Sequence, residues 1–408
     1  MVSYGSGQLG DVTISSNTTE NQPVLEYQNL TVEDGVTLTL PSRCRLLVRD
    51  VLTVNGTIKV RQDIPGGGSN NGIPDGGASG GKLELLAKEI SGSGVIKANG
   101  GSGGTANNWG NHGNGGAGTG YSIPATGASG NGSAGGNRGS EAQKDSGNNN
   151  WNGNRSPGSG GSAGSSVYND SNLKSYLEDY LLSGAYITQS PLDTMLPGSG
   201  GEGGGGGRQR VQDDPNQGNW NTYRGEIEVS GGTGGAGGSF VASGGNGGNT
   251  HELHTYGSNE LTNQADANNN TYAYSDIYGG DAGGGGGSGG FILLVSESVD
   301  LNVTFQARGG SGGDGHWSRH SGKNVTDANG NRQNFNNEDA RCSGGGGGGG
   351  SGGFVVGFAD QTPTLDLGGG QPGIPGDEKK TGTSNFNASP GNAGQDGVTF
   401  IYNIEELL

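Results

Sequence analysis

The sequence predicts a mainly β fold: β-helix or solenoid-like coils, glycine segments in polyglycine-II-type extended helices, and one short α-helix near 171–183. Three observations carry this expectation. Of 408 residues 94 are Gly and only 28% are hydrophobic, against roughly 45–50% apolar in an average domain, so one oily core of the usual kind cannot be assembled. Strand-length apolar runs return along the chain in an ungapped internal repeat. Between them lie glycine runs, at 203–207, 283–287 and 344–350, that need a packing mode of their own.

The repeat is the most informative signal. Residues 79–104 align with 288–313 without a gap: Ser79-Gly80-Gly81 falls on Ser288-Gly289-Gly290, Leu83 on Ile292, Leu85 on Leu294, and Asn99-Gly100-Gly101-Ser102 on Arg308-Gly309-Gly310-Ser311. A partial third copy starts at Ser351-Gly352-Gly353 and enters Phe354-Val355-Val356. The stretch Leu47 to Leu52 followed by Asn55 to Val60 reads as a glycine-poor version, and 225–232 matches the second half of the template. Each copy reads as apolar strand, tight turn, short alternating strand and glycine excursion. Such units bury their apolar face only by stacking on the next one. A helix over Leu83 to Ile90 is disfavoured, because glycines bracket the segment and its matched copy is richer in β-branched residues.

Glycine loses more backbone entropy on folding than any other residue, so ordered glycine runs require a compensating gain. Without Cβ atoms, extended three-residue-per-turn helices pack side by side and bond backbone to backbone. The expectation is that 203–207, 283–290 and 344–353 do this, bundled together or laid on the β coils. Composition alone, glycine- and asparagine-rich with net charge −17, would instead class the chain as disordered.

Four regions follow: 1–40, a β segment for attachment or capping, with Thr37 to Leu40 alternating after a turn at Asp34-Gly35; 41–104, the first coils; 105–225, a low-complexity Asn/Gly/Ser insertion; and 226–408, coils with polar loops and a last strand at Val398 to Tyr402. The helix lies in the insertion, where Leu173, Tyr176, Leu177, Tyr180 and Leu181 share one face and Gly184 ends it.

Charge and length exclude several classes. With 39 acidic against 22 basic residues there is no basic footprint for nucleic acid. No stretch approaches the ~20 apolar residues of a membrane span, and no signal peptide is visible. The acidic, lysine-poor balance hints at a halophilic host. Cys44 and Cys342 permit one bridge but form no disulfide framework.

Catalytic motifs fail on context. Residues 100–104 and 309–313 satisfy G-x-S-x-G, but a nucleophile elbow needs a strand-to-helix turn with histidine and acid partners, whereas these are repeat linkers. Gly76 to Lys82 approaches a phosphate loop, with Leu83 where Ser or Thr must stand. Residues 309–314 match one calcium nonapeptide where several in tandem are needed. Asp327, Asn329, Asn331 and Glu338 take calcium-loop positions 1, 3, 5 and 12, but Arg332 replaces the turn glycine. His251, Glu252 and His254, like His316 and His320, would converge on a metal only from a helix. Glu226 and Glu228 share one strand face with no partner wall. No enzyme, cofactor or resident metal is expected.

Binding is the better reading. Trp109, Trp151, Trp220, Tyr223, Tyr256, Tyr272, Tyr274 and Trp317 sit amid Asn, Gly and Ser, the mixture of adaptable binding loops in which rigid aromatics supply contact area. The competing reading packs them over glycine sheets or in a subunit interface.

With the repeat and glycine runs in place, the chain resembles glycine-rich β-helical adhesins, fibres and spikes of tailed viruses, some of whose tips are built from polyglycine helices. The resemblance is architectural and covers about a quarter of the chain. It implies a homo-oligomeric virion surface protein (tail fibre, baseplate spike or capsid turret), in contact with other virion proteins, whose loops meet a host surface glycan or protein, with neither nucleic acid nor membrane insertion. Two alternatives stand beside it. An extracellular ice- or surface-binding solenoid would show flat regular rows of Thr or polyglycine faces; the sequence displays no rows of Thr. A polysaccharide-degrading β-helix enzyme would need clustered carboxylates.

Overall fold

In a computed structural model the protein is described over residues 2–67, 74–106, 281–316, 344–376 and 388–407, with short pieces at 121–123, 128–130, 173–182, 201, 208–211, 226–230, 237–238, 244–247, 252–256, 325–326 and 332–333. It is mostly β, and its two main sheets are parallel, an arrangement that fits a β-solenoid.

The strands alternate between the two sheets as the chain advances. β1 (Asp11–Ile14) leads to β2 (Thr18–Thr19); β3 (Val24–Tyr27) and β4 (Asn29–Val32) lead to β5 (Thr37–Leu40); β6 (Arg43–Val54) leads to β7 (Thr57–Val60), and β8 (Lys82–Gly92) to β9 (Val95–Lys97). Antiparallel pieces follow: β10 (Tyr121–Ile123) with β11 (Ala128–Gly130), then β12 (Arg208–Val211), β13 (Glu226–Ser230) and β14 (Glu252–Tyr256), with helix α1 (Leu173–Leu182) before β12. The stack resumes with β15 (Phe291–Val295), β16 (Ser298–Val299) and β17 (Thr304–Gln306). After a hairpin of β18 (Val325–Thr326) and β19 (Arg332–Gln333) it ends with β20 (Phe354–Ala359), β21 (Thr364–Asp366) and β22 (Val398–Asn403).

Sheet A runs β1-β4-β6-β8-β15-β20-β22, and sheet B runs β2-β5-β7-β9-β17-β21. The internal repeat is the stacking register: Phe291 pairs with Lys82 on one side and Phe354 on the other, and Thr304 with Val95 and Thr364. The stack begins at Asp11, inside the segment expected to serve attachment or capping. The 225–232 fragment does not join it. β13 pairs antiparallel with β12 and β14 in a separate sheet, because an isolated E-I-E-V-S alternation suits either kind of pairing.

Alternation dictates the core. Leu38, Ile58, Ile96 and Phe305 of sheet B point inward against Leu46, Leu83, Ile292 and Val355 of sheet A, all wholly buried. Sheet A is apolar on both faces, as buried parallel strands are. Its outer face carries Leu47, Leu86, Leu293, Val295, Phe354 and Phe358, covered by Val2 and Tyr4, by Leu177, Tyr180 and Leu181 of α1, and by Ile404 and Leu407. Cys44 lies in the inner core as a free thiol; its possible partner Cys342 lies outside the described residues.

From the ends of β7, β9, β17 and β21 the chain runs out along one leg and back along a second, glycine-rich one to the next sheet A strand. β2 and β5 instead pass to sheet A through four and two residues without glycine. Outward and return legs are antiparallel and bonded at every third residue: Gly284, Gly287 and Gly290 donate to the carbonyls of Gly104, Gly101 and Ala98. Successive outward legs run parallel, as in Gly100 to Arg308 and Gly103 to Ser311; so do return legs, as in Gly283 to Gly345, Gly286 to Gly348 and Gly289 to Ser351. One row of bonds, each 2.7–3.0 Å, links Ala78, Gly101, Gly287, Gly310, Gly350, Gly370 and Gly394 in turn. A Cβ on Gly310 would stand 1.9 Å from the Gly101 carbonyl oxygen, and one on Gly350 2.0 Å from that of Gly287. Only glycine lets these backbones approach so closely.

Candidate functional site

Two surfaces have the geometry for recognition. The first is the end of the glycine blades remote from the sheets. Polar stretches of sequence follow or precede the legs there: the chain passes from Gly67 to Pro74, from Ala106 towards Asp281, from His316 to Gly344 and from Gly376 to Ala388. Their stems are bonded to one another: Ala106 donates to Asp314, His316 to Asp281, Gly344 to His316, Gly376 to Gly344, and Gly315 to Ile374. Asp281 is wholly buried. Burial lowers the pKa of His316, which favours the neutral imidazole.

The predicted aromatic contacts lie largely on these excursions. Trp109 follows Ala106 by three residues, and Trp317 follows His316 directly. Trp109, Trp151, Trp220, Tyr223, Tyr272, Tyr274 and Trp317 are outside the described residues; Tyr256 closes β14, opposite Glu226. The calcium-loop candidates Asp327, Asn329, Asn331 and Glu338 also lie outside them. Among the described residues no group of three potential metal ligands is gathered, and no helix is long and apolar enough to cross a membrane. Glu252 and His254 lie on strand β14, so they have no helical spacing with which to converge. The two G-x-S-x-G segments are neighbouring outward legs of the array, with Gly103 donating to Ser311.

The second surface is the outer face of sheet B, and sequence reading missed it. With Leu38, Ile58, Ile96, Phe305 and Leu365 packed inward or against the core, the residues on either side of each project outward in two ranks. The first rank is Thr37, Thr57, Val95, Thr304 and Thr364; the second is Thr39, Lys59, Lys97, Gln306 and Asp366. A rank of Thr does exist. It is invisible along the chain because its members are contributed 20, 38, 209 and 60 residues apart. The only signal was the apolar centre shared by T-L-T, T-I-K, V-I-K, T-F-Q and T-L-D.

On the opposite side of the stack, a charged group is sealed under α1. Glu84, 2% exposed, accepts from Arg45 Nε at 2.8 Å and Tyr180 Oη at 2.8 Å, with Lys82 Nζ at 3.1 Å. Every member has a partner, so the arrangement fastens the helix to the sheet and leaves no reactive group. The near-match to a phosphate loop ends here: Lys82 is spent on a buried ion pair.

No protein family matches this chain, and neither do curated proteins or solved structures. Its function has to be argued from its own surfaces.

Proposed function

We propose that this is a non-enzymatic virion surface protein of the tail-fibre, baseplate-spike or capsid-turret kind, which attaches to a host surface glycan or protein through its aromatic excursions. The observation that carries the reading is the convergence of the stems. The chain leaves the described array after Ala106, His316 and Gly376 and re-enters it at Asp281 and Gly344, and these stems are bonded at one end of the array, which needs no oily core of its own. The period-three bonding, alternately parallel and antiparallel, is what bundled polyglycine-II-type helices make, and the stacked sheets act as the β-solenoid that indexes them. A rigid scaffold with variable polar loops gathered at one end is how binding loops are commonly mounted. The parallel-sheet body supplies stiffness, and copies in a homo-oligomer with other virion proteins would present several tips at once.

The test uses the full chain on an array of surface glycans and on host-type cells. Substitution Trp317→Ala, or Trp109→Ala, is expected to weaken binding about tenfold or more while leaving Tm unchanged, as for an aromatic anchor. Antibodies to the chain should decorate intact particles. Unaltered binding by both variants, or particles left bare, would overturn the reading.

A second reading, an ice- or surface-binding solenoid, gains from the rank of Thr on sheet B. It loses from the second rank, where Lys59 and Lys97 put charges beside the hydroxyls. Thermal hysteresis in the purified protein would decide for it.

A further inference from the structure

The geometry points to the outer face of sheet B as a binding surface for a linear anionic polysaccharide, laid along the stack and separate from the excursions at the blade tips. This inference does not depend on the attachment reading, since it concerns the body of the stack.

The argument starts from charge. Lys59 and Lys97 are directly opposite each other on β7 and β9, and Lys59 is exposed. Like charges in that position are destabilising in a sheet, and among the described residues neither lysine has a carboxylate within ion-pair distance. Arg61, two residues beyond Lys59 and also exposed, is held by Asn21 Oδ1 at 3.1 Å, a neutral partner. Arg308 extends the same side two strands further on and is partnered by Asp366 at 3.5 Å. The face therefore carries Lys59, Arg61, Lys97 and Arg308 against Asp366, within a chain of net charge −17. A cationic stripe persisting on so acidic a molecule is electrostatically complementary to an anionic ligand, and it sets approach and register more than raw affinity.

Shape decides which anion. The neighbouring rank, Thr37, Thr57, Val95, Thr304 and Thr364, offers hydroxyls and methyls at the strand spacing of about 4.8 Å, so two levels span about 9.6 Å. Asn99 and Gln306 continue the polar surface, with Asn99 Nδ2 donating to Gln306 Oε1 at 3.4 Å and Gln306 Nε2 to Asp366 Oδ2 at 3.3 Å. A ladder of hydroxyls in strand register beside a line of cations matches a repeating polymer with hydroxyls and evenly placed sulfates or carboxylates.

The experiment measures binding of the full chain to immobilised dextran sulfate and to unmodified dextran at low salt. The expected result is retention on dextran sulfate alone, weakening as salt screens it. The double variant Lys59→Gln with Lys97→Gln should lose about tenfold in affinity, whereas Lys88→Gln, an exposed cation of sheet A, should bind as the wild type does. Lys97→Glu supplies the decisive control. It places opposite charges across β7 and β9, so Tm should hold or rise while dextran sulfate binding is lost. Failure of the wild type to bind, equal binding to unmodified dextran, or full binding by the double variant would each overturn the inference. Trp317→Ala should leave this binding intact, which separates it from attachment through the excursions.

Discussion

At single positions the fold is held by very close approaches, and these fix what each residue can become. Gly357 sits in β20 with φ +153°, and a Cβ there would lie 1.7 Å from the carbonyl oxygen of Leu294 on the neighbouring strand. Gly357→Ala should cost more than about 3 kcal/mol, since strain and overpacking combine in a two-sided sheet. Gly35, at φ +71° with nothing within 4 Å, should accept Asn for about 1 kcal/mol or less. Urea midpoints of the two variants provide the comparison. Two buried acids add a pH dependence. Burial, helped by the charges of Glu84 and Glu20, pushes the Cys44 thiol up to about 12 from 9.0, and burial with Glu20 pushes the Tyr27 hydroxyl to about 12 from 10.0. Below pH 9 both are neutral whether folded or unfolded, and their contribution to stability is complete. Above 9.0 and then 10.0 the unfolded chain ionises first, so stability falls until the folded groups follow near 12. Stability should therefore decline between about pH 9 and pH 12 by several kcal/mol. Cys44→Ala should make that decline shallower; an unchanged slope would show that the thiol is not its source.

Among elements, α1 shows how an insertion is tied to its scaffold. The i, i+3, i+4 pattern made the helix legible in sequence, and Leu177, Tyr180 and Leu181 do bury against sheet A. What the pattern could not show is the sheet's half of the contact, because Arg45, Lys82 and Glu84 look like ordinary surface charges until α1 covers them. Glu84→Leu would leave two cations buried without their carboxylate and should cost about 3–5 kcal/mol. Tyr180→Phe removes one bond to a charged group and should cost about 1.5–3 kcal/mol. Replacing Arg45, Lys82 and Glu84 together by Met, Met and Leu should recover most of the Glu84→Leu loss, which chemical denaturation of the three variants would reveal. The same contrast runs through the strands. The repeat at 79–104 and 288–313 gave the register of β8 and β9 against β15 and β17, because stacked copies must match apolar centres. The fragment at 225–232 misled because alternation fixes a strand's faces without fixing its neighbours, and the rank of Thr was missed because it exists only across levels.

For the molecule as a whole, the question is whether the glycine blades fold with the sheets or hang from them. One bonded row crosses every blade: from Ala78 to Gly394 it joins segments up to 316 residues apart, and its glycines bury their backbones against other backbones. Such rows have no side-chain packing to fall back on. Breaking one bond requires parting two legs, and parting two legs exposes the next row. The blades should then open only when the stack does, in one cooperative unit. In native-state hydrogen exchange the amides of Gly287, Gly310 and Gly350 should be protected to the same free energy as those of Leu294 and Val355 in sheet A, and all should respond equally to urea. Gly310→Ala, which drives a Cβ into the Gly101 carbonyl, should lower protection in the sheets as well as in the blades. Glycine amides that exchange through small local openings, indifferent to urea, would mean that the array is a fringe on a self-sufficient stack, and the rigid mounting proposed for the excursions would fail with it.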